Sequence, residues 1–199
     1  FVRAAQRRLA GKRAAYEQEA RALAERVVLE GFEKDREPLL RILAVRDEML
    51  AFAEEQQLDG LAVQDFMSLV DEVGAYCFFA NSMVSNQIPV ACESDIHGAV
   101  STVLLRRAAL GAPPVFLADV TVRHPENDNG VLLWHAGAPL ALCYPGEKVR
   151  IGHHWILPSP LSGMPHFRLQ DGPITIARFD GDRGQYQFAI GQGRSIAGP

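Results

Sequence analysis

Three side chains of this 199-residue sequence have types and positions suited to proton transfer or cation binding: Glu93, Asp119 and His135. Glu93 directly follows the apolar run Pro89-Val90-Ala91-Cys92, and Asp119 directly follows Val115-Phe116-Leu117-Ala118. A helical segment separates the two runs, so they read as parallel strands whose carboxyl ends point the same way, where ligands collect in open α/β sheets. Neighbouring strands lie about 4.8 Å apart, which would let both carboxylates reach one small volume. That arrangement suits a shared divalent cation or an acid/base pair. His135 ends Val131-Leu132-Leu133-Trp134 and precedes Ala136-Gly137, whose small size leaves room for a ligand to approach the backbone. With the two acids it makes a third ligand, and carboxylate oxygens plus an imidazole suit Mn²⁺, Mg²⁺ or a related ion better than a thiolate-loving metal.

Either acid alone also fits a helix or turn cap. Asp95 is the better cap, because it directly precedes a helical pattern, with Ser94 as its rival, and this frees Glu93 from that task. Cys92 reads as a small hydrophobe at a buried strand end, without a placed base for covalent catalysis. His153-His154 lacks the four-residue spacing of a helical zinc pair and reads as structural. Gly181, Gly184, Gly191 and Gly193 follow no phosphate-loop spacing.

The elements that must position these groups change character near Ile88. Before it, glycine and proline are confined to Gly11, Gly31, Pro38, Gly60 and Gly74; all six histidines come after it. Between Arg3 and Leu29, apolar residues from Tyr16 to Val28 recur at three- and four-residue steps, predicting an amphipathic helix. A second helix is predicted from Asp35, with Pro38 in its first turn and Leu39, Ile42, Leu43, Met49, Leu50 and Ala53 on one side, ending near Gln57. The Arg and Glu residues of both read as solvated faces. Then come a strand at Leu61-Ala62-Val63, a helix over 65–82, the strand at 89–92, a helix over 96–109 closed by Gly111, and the strand at 115–118. This β-α-β-α-β order predicts a parallel, Rossmann-like sheet portion in residues 1–118. Residues 119–199 read as an antiparallel, β-barrel-like module, with strands at 131–134, 149–151, 166–169, 174–179 and 186–190 and a hairpin turn at Asp180-Gly181-Asp182-Arg183-Gly184.

Composition excludes several classes. The chain is 48% hydrophobic and 22% charged, an ordinary globular balance that rules against disorder. Its net charge of −4 and lack of a basic run argue against nucleic acid or an anionic membrane as partner. The longest uninterrupted apolar run, Ala75 to Ala80, falls far short of the roughly 20 residues of a bilayer crossing. Three cysteines in no metal or redox spacing fit a reducing, cytoplasmic setting. The first residue, Phe1, is not methionine, and no signal-peptide pattern follows it, so either end is expected to be a cut.

The stretch Ile88-Pro89-Val90-Ala91-Cys92-Glu93-Ser94-Asp95-Ile96-His97-Gly98-Ala99, then Pro114 to Asp119, then Trp134-His135-Ala136-Gly137-Ala138-Pro139, resembles the L-fucose/L-arabinose isomerase superfamily, closest to its fucose-isomerase-like members. The resemblance is specific from about Leu58 to Cys143. It continues more loosely through Gly172 to Arg178, which is similar to a strand of the family's C-terminal barrel. It implies an oligomeric aldose–ketose isomerase that uses Mn²⁺ or another divalent cation such as Mg²⁺ or Co²⁺. By motif position, Glu93 and Asp119 match the two acids that bind the metal and move protons through a metal-bound enediolate. His135 matches a metal-ligand histidine of the arabinose isomerase branch. Family members are longer at both ends and carry a further metal-binding histidine after the barrel strands, so this chain is expected to be an internal piece of such an enzyme or a reduced relative. Two rival readings are a non-catalytic sugar-binding or assembly module that has lost the metal site, and a metal-dependent lyase or aldolase.

Overall fold

The computed structural model describes residues 1–110, 114–157 and 160–198. Helix α1, Val2–Arg26, buries Ala5, Leu9, Tyr16 and Ala20, and leaves helical geometry at Lys12. Helix α2, Glu37–Glu55, has Pro38 in its first turn, and Asp35 Oδ1 accepts the Glu37 N–H at 2.9 Å. Besides the predicted stripe, α2 also buries Leu40, Ala44 and Val45, because α1 packs on one side of it and a later helix on another. Each large apolar side chain of this kind contributes about 1.5–3 kcal/mol when fully buried. The charged residues are less free than solvated faces. Arg8 pairs with Glu48 at 2.9 Å, Arg13 with Glu37 at 2.9 Å, and Arg46 reaches Glu19 at 3.0 Å, all between α1 and α2.

The single helix predicted over 65–82 is two. Helix α3, Ser68–Val73, stops at Gly74, whose φ of 76° is the left-handed cap conformation and whose N–H bonds to the Val70 carbonyl. Helix α4, Phe78–Val84, follows and is buried along its whole length, as a short helix inside the core must be. Helix α5, Ile96–Ala108, starts on Asp95, whose side chain accepts the Gly98 N–H. Gly111, predicted to close that helix, lies outside the described residues.

The strands are short and form separate small sheets. Strand β1, Val28–Leu29, and β2, Leu61–Ala62, come from the first half, as does β3, Val90–Ala91. Strands β4, Asp119–Arg123, and β5, Val131–Trp134, are followed by β6, Arg150–His153, and β7, Ser162–His166. Strands β8, Gly172–Asp182, and β9, Gln185–Ser195, form a long hairpin turning at Arg183-Gly184, both at positive φ. β2 and β3 pair in parallel through Leu61 and Val90, and β1 pairs in parallel with β6, which pairs antiparallel with β7. The strand predicted at Val115–Ala118 is absent: residues 114–118 are irregular and the strand begins at Asp119, pairing antiparallel with β5. The apolar run packs instead on the start of α5, where a Cβ added to Gly98 would lie 2.9 Å from Leu117 Cδ1. The strand predicted at 166–169 is displaced to β7, leaving a single bridge between Leu169 and Cys143. Among the described residues no barrel closes.

Two apolar clusters form the core. The larger joins α1, α2 and α4 to Val90, Val149 and Ile151. The smaller gathers Val70, Tyr76, Phe78, Cys92, Ala136 and Met164, with Leu117 and Trp134 against its edge. Both clusters take residues from either side of position 119. Among the described residues, no helix is long and apolar enough to cross a membrane.

Candidate active site

The three residues singled out in the sequence leave the chain at the rim of the smaller cluster. Cys92, a member of that cluster, precedes Glu93, while Leu117, two residues before Asp119, and Trp134, which precedes His135, pack against it. Asp119 faces Trp134 in the β4–β5 register, which sets its Oδ2 4.0 Å from His135 Nε2. The pairing is antiparallel rather than the parallel neighbourhood the sequence suggested. The His135 side chain is 6% exposed and that of Asp119 62%, so a wall of protein meets an open carboxylate. His135 Nδ1 lies 3.0 Å from the Ala136 carbonyl oxygen. A carbonyl can only accept, so Nδ1 donates to it, and Nε2 is the ring atom turned toward Asp119. A carboxylate and an imidazole nitrogen 4.0 Å apart are groups of the type that could hold a cation, and a backbone acceptor on the remote nitrogen is the usual support of a metal-binding imidazole.

Glu93 is exposed at a sharp corner between β3 and α5. Its φ is 61° and that of Ser94 is 57°, two successive left-handed residues with side chains, at about 1–3 kcal/mol each. The corner is tied by the Ser94 N–H to the Val63 carbonyl at 3.1 Å and the Asp95 N–H to the Cys92 carbonyl at 3.2 Å. Asp95 does cap α5, accepting the Gly98 N–H at 2.7 Å, and it pairs with Arg178. Burial opposes ionisation of Asp95, but the Arg178 guanidinium and the Gly98 N–H outweigh it and hold the carboxyl low. Glu93 is left without a capping role. Among the described residues, no three His, Cys, Asp or Glu side chains converge closely enough to hold a metal, so Glu93 does not join Asp119 and His135 at ligand distance. The pair fits a cation in donor type but does not make a complete shell.

A fourth residue, absent from the sequence-based candidates, sits behind them. Asp65 is fully buried, with Oδ1 and Oδ2 at 2.8 and 3.0 Å from the Cys92 thiol, and the Asn81 amide donates to Oδ2. Burial pushes its carboxyl up to about 6, against the thiol hydrogen bond and the influence of His135, while Glu93 adds to the rise. Burial and then Asp65 raise the Cys92 thiol, which leaves it protonated and a donor rather than a nucleophile. In the sequence Asp65 stood where the helix was predicted to begin, and it was given no role. Its signal was a looser form of the rule that selected Glu93: it lies two residues past the apolar run Leu61-Ala62-Val63, beyond the carboxyl end of the strand paired with β3.

Ala136 and Gly137 do not leave space for a ligand. Both are buried, and Gly137, at φ 82°, lies against α4, where an added Cβ would meet Asn81 Cβ at 3.2 Å and the Phe78 carbonyl at 3.5 Å. Their small size serves close packing. His154 is structural in these surroundings: its ring contacts Tyr76, Phe78 and Trp134 with centroids 5.4–5.9 Å apart, and Nδ1 accepts the Ile156 and Leu157 N–H groups at 3.1 Å. Burial, with His166 and His135 nearby, lowers its pKa, which favours the neutral ring.

No family model matches the chain, and no solved structure matches it. Three curated proteins do. The sulfoquinovose isomerases of Priestia aryabhattai and Priestia megaterium are each 30% identical to it over 146 residues, 72% of this chain and 32% of theirs. The sulfoquinovose isomerase of Alkalicoccus urumqiensis is 28% identical over 169 residues, 83% of this chain and 37% of that protein. The chain thus spans about a third of the length of the curated relatives it matches. Over most of its own length, it is similar to enzymes named as sugar isomerases.

Proposed function

We propose that this chain carries the proton-transfer groups of an aldose–ketose isomerase, acting on an open-chain aldose of the sulfoquinovose kind. The observation that carries the reading is the Asp119–His135 pair, with Nε2 4.0 Å from the carboxylate at the same cluster rim from which Glu93 emerges. In the reaction Glu93 removes the proton from C2; the C–H electron pair becomes the C1–C2 double bond, and the aldehyde π electrons move to O1. Asp119 moves the hydroxyl proton from O2 to O1. Collapse of the enediol makes the C2 carbonyl, and the Glu93 proton is returned to C1. A divalent cation such as Mn²⁺, Mg²⁺ or Co²⁺, held by Asp119 and His135, would supply charge stabilisation at the sugar oxygens. The α/β portion, residues 1–118, provides Glu93, and the β portion, residues 119–199, provides the pair.

The test uses the intact polypeptide, sulfoquinovose and Mn²⁺, with products read by NMR. Glu93→Gln and Asp119→Asn are each expected to lower kcat by about 10²–10⁴-fold with the fold preserved. Near-wild-type turnover in either variant would overturn the assignment. Carbon–carbon cleavage products in place of a ketose would point to a lyase instead.

A further inference from the structure

Asp65 does not reach the rim, yet it contacts the supports of two groups that do. Its carboxylate takes the Cys92 S–H on one side and the Asn81 amide on the other. Cys92 is the residue before Glu93, and its own carbonyl accepts the Asp95 N–H across the left-handed corner. Asn81 is the residue against which Gly137 packs, two positions after His135. One buried carboxylate therefore ties the Glu93 corner to the His135–Gly137 turn. Asn81 Oδ1 is buried without a hydrogen-bond partner among the described residues, so the amide is turned to give its N–H to Asp65 at the expense of its own oxygen. The Glu93 and Ser94 backbone, which ordinary side chains adopt only at a cost, needs such an anchor to hold one geometry.

We propose that Asp65 is a positioning residue: through Cys92 and Asn81 it holds Glu93 and His135 in the one relative geometry from which the proton is moved, without itself touching the sugar. This rests on the isomerase reading above. What the site requires of residue 65 is a pair of contacts, to a thiol donor and to Asn81. An amide satisfies both: in Asp65→Asn the new side-chain oxygen accepts the thiol, and a flipped Asn81 presents its own oxygen to the new side-chain N–H.

The experiment compares Asp65→Ala, Asp65→Asn and Cys92→Ala in the intact polypeptide, by sulfoquinovose kinetics with Mn²⁺ and by amide hydrogen exchange at Ser94 and Asp95. Asp65→Ala is expected to lower kcat by about 10²-fold, the scale of a misplaced catalytic group, with KM kept within about threefold. Exchange at the two amides should quicken by about tenfold or more. Asp65→Asn should restore kcat to within about fivefold of wild type and return slow exchange. Cys92→Ala should move both readouts in the direction of Asp65→Ala, and it carries the test if Asp65→Ala does not fold. An Asp65→Asn enzyme as slow as Asp65→Ala with native exchange would mean that the charge itself acts, and would overturn positioning. Wild-type kcat in the alanine variants would overturn it too. If the wild-type polypeptide does not isomerise the sugar, the isomerase reading fails by itself; exchange at Ser94 and Asp95 then decides the anchor, and unchanged exchange in Asp65→Ala and Cys92→Ala overturns it.

Discussion

At the scale of the residue, Asp65 and His135 show how one hydrogen bond or its surroundings set the chemistry of a side chain. The Ala136 carbonyl accepts a hydrogen bond from His135 Nδ1 and so fixes the ring with Nε2 toward Asp119. Asp65 is controlled by burial instead. Its carboxyl is pushed up to about 6 when folded, above its ordinary value of 3.8, so the folded chain binds this proton more tightly than the unfolded chain does. The resulting stabilisation is complete below about pH 4 and is lost as pH rises through about 6, a fall of about 2–3 kcal/mol. His154 acts with the opposite sign, because its lowered pKa means that acid must charge a ring the fold keeps neutral. Asp65→Asn removes only the first effect. Urea melts at about pH 4.5 and 7.5 are expected to show a wild-type loss of about 2 kcal/mol from this group on going to the higher pH, which the variant lacks. A variant with the wild-type pH dependence would show that Asp65 titrates normally.

At the scale of the element, positions with no room for a side chain decide where strands and helices meet. Gly163 in β7 has a φ of 120°, and a Cβ there would lie 2.0 Å from the Tyr76 carbonyl oxygen, beside the 2.8 Å bond from the Tyr76 N–H to the Ser162 carbonyl. The clash is with backbone, so it is relieved only by parting β7 from the segment before α4. Gly163→Ala is expected to cost about 2–4 kcal/mol in denaturant unfolding, whereas alanine at exposed Gly146, with φ 85° but nothing near its added Cβ, should cost about 1 kcal/mol. The helices were legible because apolar periodicity is local: α2 and α5 lie within a few residues of their predicted spans. The break at Gly74 was not read, although a glycine inside a predicted helix was its signal. The fate of Val115–Ala118 was not legible. An apolar run has the same composition whether it joins a sheet edge or lies on a helix, and the choice was made by Gly98, which lets Leu117 approach the start of α5.

At the scale of the whole molecule, the core ignores the change of composition along the chain. β1 pairs with β6, and Tyr76, Phe78 and Cys92 share a cluster with Ala136 and Met164. The β8–β9 hairpin is held differently, through polar ties to α5: Arg178 pairs with Asp95, and the Phe179 N–H donates to Ser101 Oγ at 2.8 Å. Because Asp95 also closes the corner that carries Glu93, the hairpin and the candidate site share a support. Arg178→Ala is expected to cost only about 0.5–1 kcal/mol, as befits a half-exposed pair. It should nevertheless quicken amide exchange in β8 and β9 while leaving α2 protected, because the hairpin's remaining ties, among them His97 to Asp180 and Ser101 to Phe179, run to α5 and not to α2. Equal quickening in α2 would show that the hairpin and the helical core open together.

The sequence by itself determined helices α1 and α2 and the strand-end positions of Glu93 and His135, together with the freedom of Glu93 from capping, which Asp95 assumes. Each is a property of residue type and of spacing over a few positions, and such properties survive whatever the rest of the chain does. Only the tertiary structure decided that Asp119 begins a strand and meets His135 across an antiparallel pair, and that Asp65 is buried beneath the corner of Glu93. It also decided that Ala136 and Gly137 are small for packing rather than access. These depend on which distant segments exclude water from one another, and pairing partners and burial are set by the sum of long-range contacts, which no local pattern encodes.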